Sequence, residues 1–155
     1  SEYENRNGYP ADRFPEENFY EASFSNEALG WGAMSLEEQL NQIGPSFHEK
    51  LFELIERSGM DNKDVWKAAN LDRKHFSKIQ CDSHYHPKKK TVMALCIALK
   101  LNLEQAKDLL ARADWAFSPS SKVDLIVQKA IIDKQYDIMQ LNVTLFKYTN
   151  EILGV

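Results

Sequence analysis

Long apolar runs are missing from this chain of 155 residues. None approaches the ~18 residues that a transmembrane helix needs, so no membrane span is expected. Cysteine is scarce. Cys81 and Cys96 are too few for a disulfide framework, and both are expected to be reduced, which suits the cytoplasm. Six glycines and five prolines exclude a collagen-like or low-complexity chain. Positive charge is not in excess: 19 Lys and Arg stand against 23 Asp and Glu, and the net of −4 excludes a uniformly basic nucleic-acid coat. The N-terminus is acidic and aromatic, so neither a secretory signal nor a transit peptide fits. Ser rather than Met stands first, which suits a processed or excised piece of a longer protein. Enzyme signatures are missing too. There is no Gly-rich phosphate loop, no HExxH and no nucleophile elbow, and Asp133 and Asp137 read as helix ends rather than a carboxylate pair. No enzymatic activity and no cofactor are expected.

What remains is an ordinary globular mixture, 43% hydrophobic and 27% charged, long enough for one core plus a tail. Its charge is unevenly placed. Residues 1–43 hold nine acidic side chains against Arg6 and Arg13. Residues 61–90 reverse this, with eight basic residues against four acidic ones, and residues 91–155 balance. An acidic head therefore precedes a local basic patch, and the head is expected to compete with any polyanion for that patch.

Residues 1–34 show no sustained period, yet they hold seven of the 17 aromatics. Disordered tails are usually poor in aromatics. The stretch reads as an irregular acidic and aromatic segment, either docked in part or serving as a linker. Tyr20, Phe24 and Trp31 are its candidate partner-binding anchors.

From Ser35 onward the pattern is helical, and residues 35–155 read as a single helical domain. Ser35 and Glu38 have capping-box spacing before a short helix stopped by Gly44-Pro45. Ser46 caps the next helix, with Phe47, Leu51, Leu54 and Ile55 on one face and Ser58-Gly59 at its end. A short helix over about 62–69 carries Val65, Trp66 and Ala69. Asp72 then caps a helix over 73–80 with Phe76 and Ile79 inward. A polar loop leads to a strong helix over 88–101, with Val92, Leu95, Cys96 and Leu99 inward. Further helices follow over 103–113, from Ser120 or Ser121 to about 134, and from Asp137 onward. The last carries Ile138, Leu141, Leu145, Phe146, Ile152 and Leu153. The final two amphipathic helices either extend the core or form a dimer. No run alternates as a strand does, so the fold class is all-α.

Residues 59–79 carry the most information: a helix, a tight turn, and a second short helix whose outward face is polar and basic. Arg73, Lys74, Ser77 and Lys78 point outward, with His75 at the edge. Groove reading needs such a face, because Arg reaches base edges or phosphates while Lys and Ser favour the backbone. Here the chain resembles the Cro/repressor-like (XRE-type) helix-turn-helix domain over about 46–113. The resemblance implies DNA binding, often as a dimer, with 73–78 as the recognition helix. The stretches Ser-Ser-Lys-Val-Asp-Leu-Ile and Tyr-Asp-Ile look like an uncharacterised group of bacterial helix-turn-helix proteins with extra C-terminal helices. Three positions depart from the family pattern. Asn62 stands where Gln is usual, Trp66 where a small Ala lets the helices cross closely, and Asn70 where Gly is usual in the turn. Asn still tolerates the left-handed conformation. Trp66 predicts altered packing at the crossing.

Lys88, Lys89 and Lys90 begin a helix against its dipole, a placement that suits a bound anion or phosphate; the bland alternative is a solvated turn. Cys81, His84, His86, His75 and Cys96 are residue types that zinc accepts, but their spacing fits no closed site, and a polar loop is the better reading. The expected function is a DNA-binding, transcription-regulating helix-turn-helix protein that uses 73–80 and 88–90 on double-stranded DNA. The alternative is a non-enzymatic protein-interaction module on a diverged helix-turn-helix fold.

Overall fold

A computed structural model of the chain describes residue 30 and residues 32–155. The described residues form eight α-helices and no strand. They are α1 (Leu36–Asn41), α2 (Phe47–Ser58), α3 (Asn62–Ala68), α4 (Arg73–Cys81), α5 (Lys89–Ala98), α6 (Leu103–Arg112), α7 (Lys122–Ile132) and α8 (Ile138–Thr149). The fold is all-α.

The chain divides into two units, Ser1–Gly44 and Pro45–Val155. The boundary lies at Gly44, whereas the sequence pattern placed it at residue 34, so α1 falls in the first unit. The reason is that α1 buries none of its residues, and Leu36, Leu40 and Ile43 are all exposed. Ser35 accepts the Glu38 amide at 3.2 Å, but only this half of the expected capping box forms.

In the second unit α5 is the central rod. It packs against α3, α6 and α8, and every residue from Thr91 to Ala98 is buried. A one-sided stripe was expected; instead the stretch from Val92 to Ala98 is apolar all round, as an enclosed helix segment must be. Around it α2 buries Phe47, Leu51, Leu54 and Ile55, as its spacing foretold. Gly59 closes α2 at φ 71°, the left-handed cap position that favours glycine. Asn102 and Gln105 form a complete reciprocal capping box at the start of α6, with bonds of 3.0 and 2.8 Å.

One expectation for the C-terminal region is corrected. α8 ends at Thr149 because Asn150 takes φ 59°, so Ile152 and Leu153 lie outside any helix. Leu153 is nevertheless fully buried, delivered to the core by a non-helical tail, while Ile152 stays partly exposed. Phe146 is exposed. It lies with Met139 and Val143 on a second apolar stripe, away from the buried Ile138, Leu141 and Leu145.

Cys96 sits on the enclosed part of α5. Burial pushes its thiol from the ordinary 9.0 up to about 12, against a smaller lowering by a backbone hydrogen bond. Cys81, at the end of α4, is exposed. A thiol reagent at pH 8 is therefore expected to modify one cysteine of the native protein, Cys81, and to reach Cys96 only on unfolding. Two equally fast reactions would contradict this packing. The sign for stability follows: the unfolded thiol ionises first, so Cys96 favours unfolding as pH rises from 9 toward about 12.

Candidate nucleic-acid interface

α4 owes its direction to three local choices. Asp72 accepts the His75 amide at 2.6 Å and starts the helix. Phe76 and Ile79, 2% and 1% exposed, anchor its inner face. At its far end the Gln80 carbonyl lies 2.9 Å from His48 Nε2 on α2, so His48 serves as a positioning group at the helix end. The remaining positions face solvent: Arg73, Lys74, Ser77, Lys78, Gln80 and Cys81 are exposed, and His75 is half-buried. The expected outward set is thus gathered on one helix, with Gln80 added.

The turn before α4 is closed by a bond from the Leu71 amide to the Trp66 carbonyl at 2.8 Å, with Asn70 at φ 54°. Val65 and Ala69 are sealed, and Trp66 is half-buried and packed against the core. With Arg73, Ser77 and Gln80 it lines a surface cleft of about 550 Å³.

The three lysines of the next helix divide by role. Lys88, at the N-cap of α5, is exposed. Lys89 forms an ion pair with Asp124 of α7, whose side chain is 3% exposed. Lys90 pairs with Glu151 in the tail. The structure therefore brings Lys74, His75, Lys78 and Lys88–Lys90 around one cleft of about 940 Å³, while two of those charges already have internal partners. Tyr85 joins them: Lys78 Nζ stands 5.2 Å from its ring centroid, and His75 meets it edge-on at 6.5 Å. Tyr20, Phe24 and Trp31 lie outside the described residues.

The Cys and His residues of the loop do not converge. His86 Nε2 is 2.6 Å from the Ala113 carbonyl, and Trp115 Nε1 donates to the Pro87 carbonyl at 2.9 Å, so this part of the loop is bound to the α6–α7 connection. Among the described residues no three His, Cys, Asp or Glu are grouped as metal ligands. None of their helices is long and apolar enough to cross a membrane.

Sequence reasoning missed Asp124, Asn142 and the 150–155 tail. Asp124 is a first-turn acid of α7, and nothing in its spacing reveals Lys89 35 residues earlier. Asn142 is buried and exchanges two bonds with Leu153, at 3.1 and 2.8 Å. No protein-family model matches the chain, and neither a curated protein nor a solved structure matches it.

Proposed function

We propose that the protein binds double-stranded DNA through α4 as a helix-turn-helix regulatory protein, without enzymatic activity. One observation carries this reading. Arg73, Lys74, Ser77 and Lys78 share an exposed helix face, and the inward residues of the same helix, Phe76 and Ile79, are locked into the core. A rigid basic helix whose polar side is entirely outward suits a major groove, where Arg73 and Ser77 reach base edges and the lysines meet phosphates. The overall charge of −4 does not oppose this, because 61–90 is locally basic.

Salt dependence gives a quantitative test. Arg73, Lys74, Lys78 and Lys88 have no acidic ion-pair partner among the described residues, whereas Lys89 and Lys90 do. About four released counterions correspond to a log–log slope of about −3.6. Arg73→Ala with Lys74→Ala is expected to weaken duplex binding and flatten that slope by about one to two units. The measurement is a mobility shift of the whole chain on random duplex across a salt series. An unchanged slope removes α4 from the interface. Absence of any retardation at low salt overturns the DNA reading and leaves the interaction module, for which the exposed stripe Met139, Val143 and Phe146 is the specific observation.

A further inference from the structure

The large cleft beside α4 has three walls: Lys74 and Lys78 from α4, the first turn of α5, and the tail from Asn150 to Val155. Four observations meet in it. No side chain caps α5, and the amides of Lys89 and Lys90 find no acceptor among the described residues. Thr91 lines the cleft and is only 3% exposed, yet its hydroxyl has no hydrogen-bond partner among the described residues. No fully buried side-chain oxygen or nitrogen lacks a partner among the described residues, so this hydroxyl keeps a small opening, and Thr91 lines the cleft. Lys74, Lys78 and Lys88 stand exposed at the rim. Finally, two acidic side chains border the cleft. Asp72 is occupied in capping α4, whereas Glu151 rests on Lys90, both side chains nearly half exposed at 47% and 44%.

We propose that this cleft is a phosphate-binding site whose resident counter-charge is Glu151. The phosphate takes the amides of Lys89 and Lys90, the Thr91 hydroxyl, and the ammonium groups of Lys88 and Lys90. Five converging donors suit a group with three or more accepting oxygens better than a carboxylate with two. Two free amides at a helix N-terminus add the dipole's preference for an anion. Glu151 is a weak competitor, because an exposed ion pair contributes little. Its departure frees the Lys90 ammonium for the ligand.

The site deepens the DNA reading if the phosphate belongs to a duplex backbone, but it depends on that reading only for the phosphate's source. The test uses the whole chain with two probes, inorganic phosphate and a random duplex. Amide NMR should show phosphate shifting Lys89, Lys90 and Thr91. Thr91→Val, which keeps the buried shape and removes the hydroxyl, should weaken phosphate binding roughly tenfold, as loss of a hydrogen bond to a charged group does. Glu151→Gln should strengthen it severalfold, a gain that no folding defect produces. If the source is a duplex, both variants shift duplex affinity in the same directions. If phosphate binds as described and the duplex is not retained, the site stands and the DNA reading falls. If phosphate moves none of these amides and Thr91→Val leaves duplex affinity unchanged, the site is overturned while duplex binding survives. An unchanged phosphate affinity in Glu151→Gln overturns the displacement.

Discussion

Asp124→Ala should lower the stability of the protein by about 3 kcal/mol, the low end of the cost of breaking a buried ion pair. The side chain is 3% exposed and does two things at once. Its Oδ2 accepts from Lys89 of α5 and from the Ser118 amide at 2.7 Å. It also lies in the first turn of α7, three residues after the N-cap Ser121, where the dipole favours its charge. Alanine removes all of these, leaving an amide without its acceptor and an ammonium without its counter-ion. Lys89 is 23% exposed and reaches water in part, which is why the low end is expected. Asp124→Asn keeps an acceptor for Ser118 and should cost less. The measurement is urea unfolding, read as a fall in midpoint at constant slope. A second variant separates the pair from its packing: Lys89→Met with Asp124→Leu should recover most of the loss, because apolar replacement of a whole buried pair is often neutral or stabilising. If Asp124→Ala costs less than about 1 kcal/mol, within the range of an exposed pair, water is reaching the pair. The bond also bears on DNA. An ammonium committed to Asp124 releases no counterion on binding, so Lys89 should contribute little to the salt slope.

Much of this fold can be read from spacing and caps. Six of the eight helices have a side-chain N-cap, from Ser35, Ser46, Asp72, Asn102, Ser121 and Asp137, and these residue types mark helix starts in any sequence. Helix ends were harder to read. α3, α5, α6 and α7 each close with a residue in the left-handed region, at Asn70, Lys100, Asp114 and Lys134, and with a bond from the next amide back across the turn. The expected marker there is glycine, so a lysine in that conformation gives no local sign. For this reason the helix read over 88–101 is shorter than its pattern suggested, and the one read to 134 stops at Ile132. The outward face of α4 was legible because its two inward residues, Phe76 and Ile79, fix the phase of the helix. The fate of the three lysines was not. Which of them is free depends on Asp124 and Glu151, contacts across 35 and 61 residues that no helical period encodes.

Gly154→Ala should unseat the tail and cost about as much as losing Leu153 from the core. Gly154 has φ 89°, and a Cβ placed on it would stand 2.3 Å from the Asn70 carbonyl oxygen and 2.8 Å from that of Ala69. These are backbone atoms of the turn between α3 and α4, and the turn does not yield easily. Leu71 is buried on one side of it, and the Leu71 amide closes it onto Trp66 at 2.8 Å. The tail is the softer partner. It is held by the Asn70 side chain donating to the Leu153 carbonyl at 3.0 Å, by the Val155 amide donating to the Asn70 carbonyl at 2.8 Å, and by Asn142. The clash therefore has an upper bound, the free energy of undocking the tail, and Leu153 dominates it. Burying a leucine contributes roughly 1.5–3 kcal/mol. Leu153→Ala leaves a cavity in a sealed site and should cost roughly 2–5 kcal/mol. Since undocking of the tail is the common upper limit of both losses, their effects should not add: the double variant should be no less stable than the worse single one, within about 0.5 kcal/mol. Additive losses would mean that Gly154 and Leu153 act separately and that the tail does not dock as a unit. Undocking also takes Glu151 from Lys90, so a Gly154→Ala protein that remains folded should bind phosphate or duplex at least as well as the parent, although it is less stable.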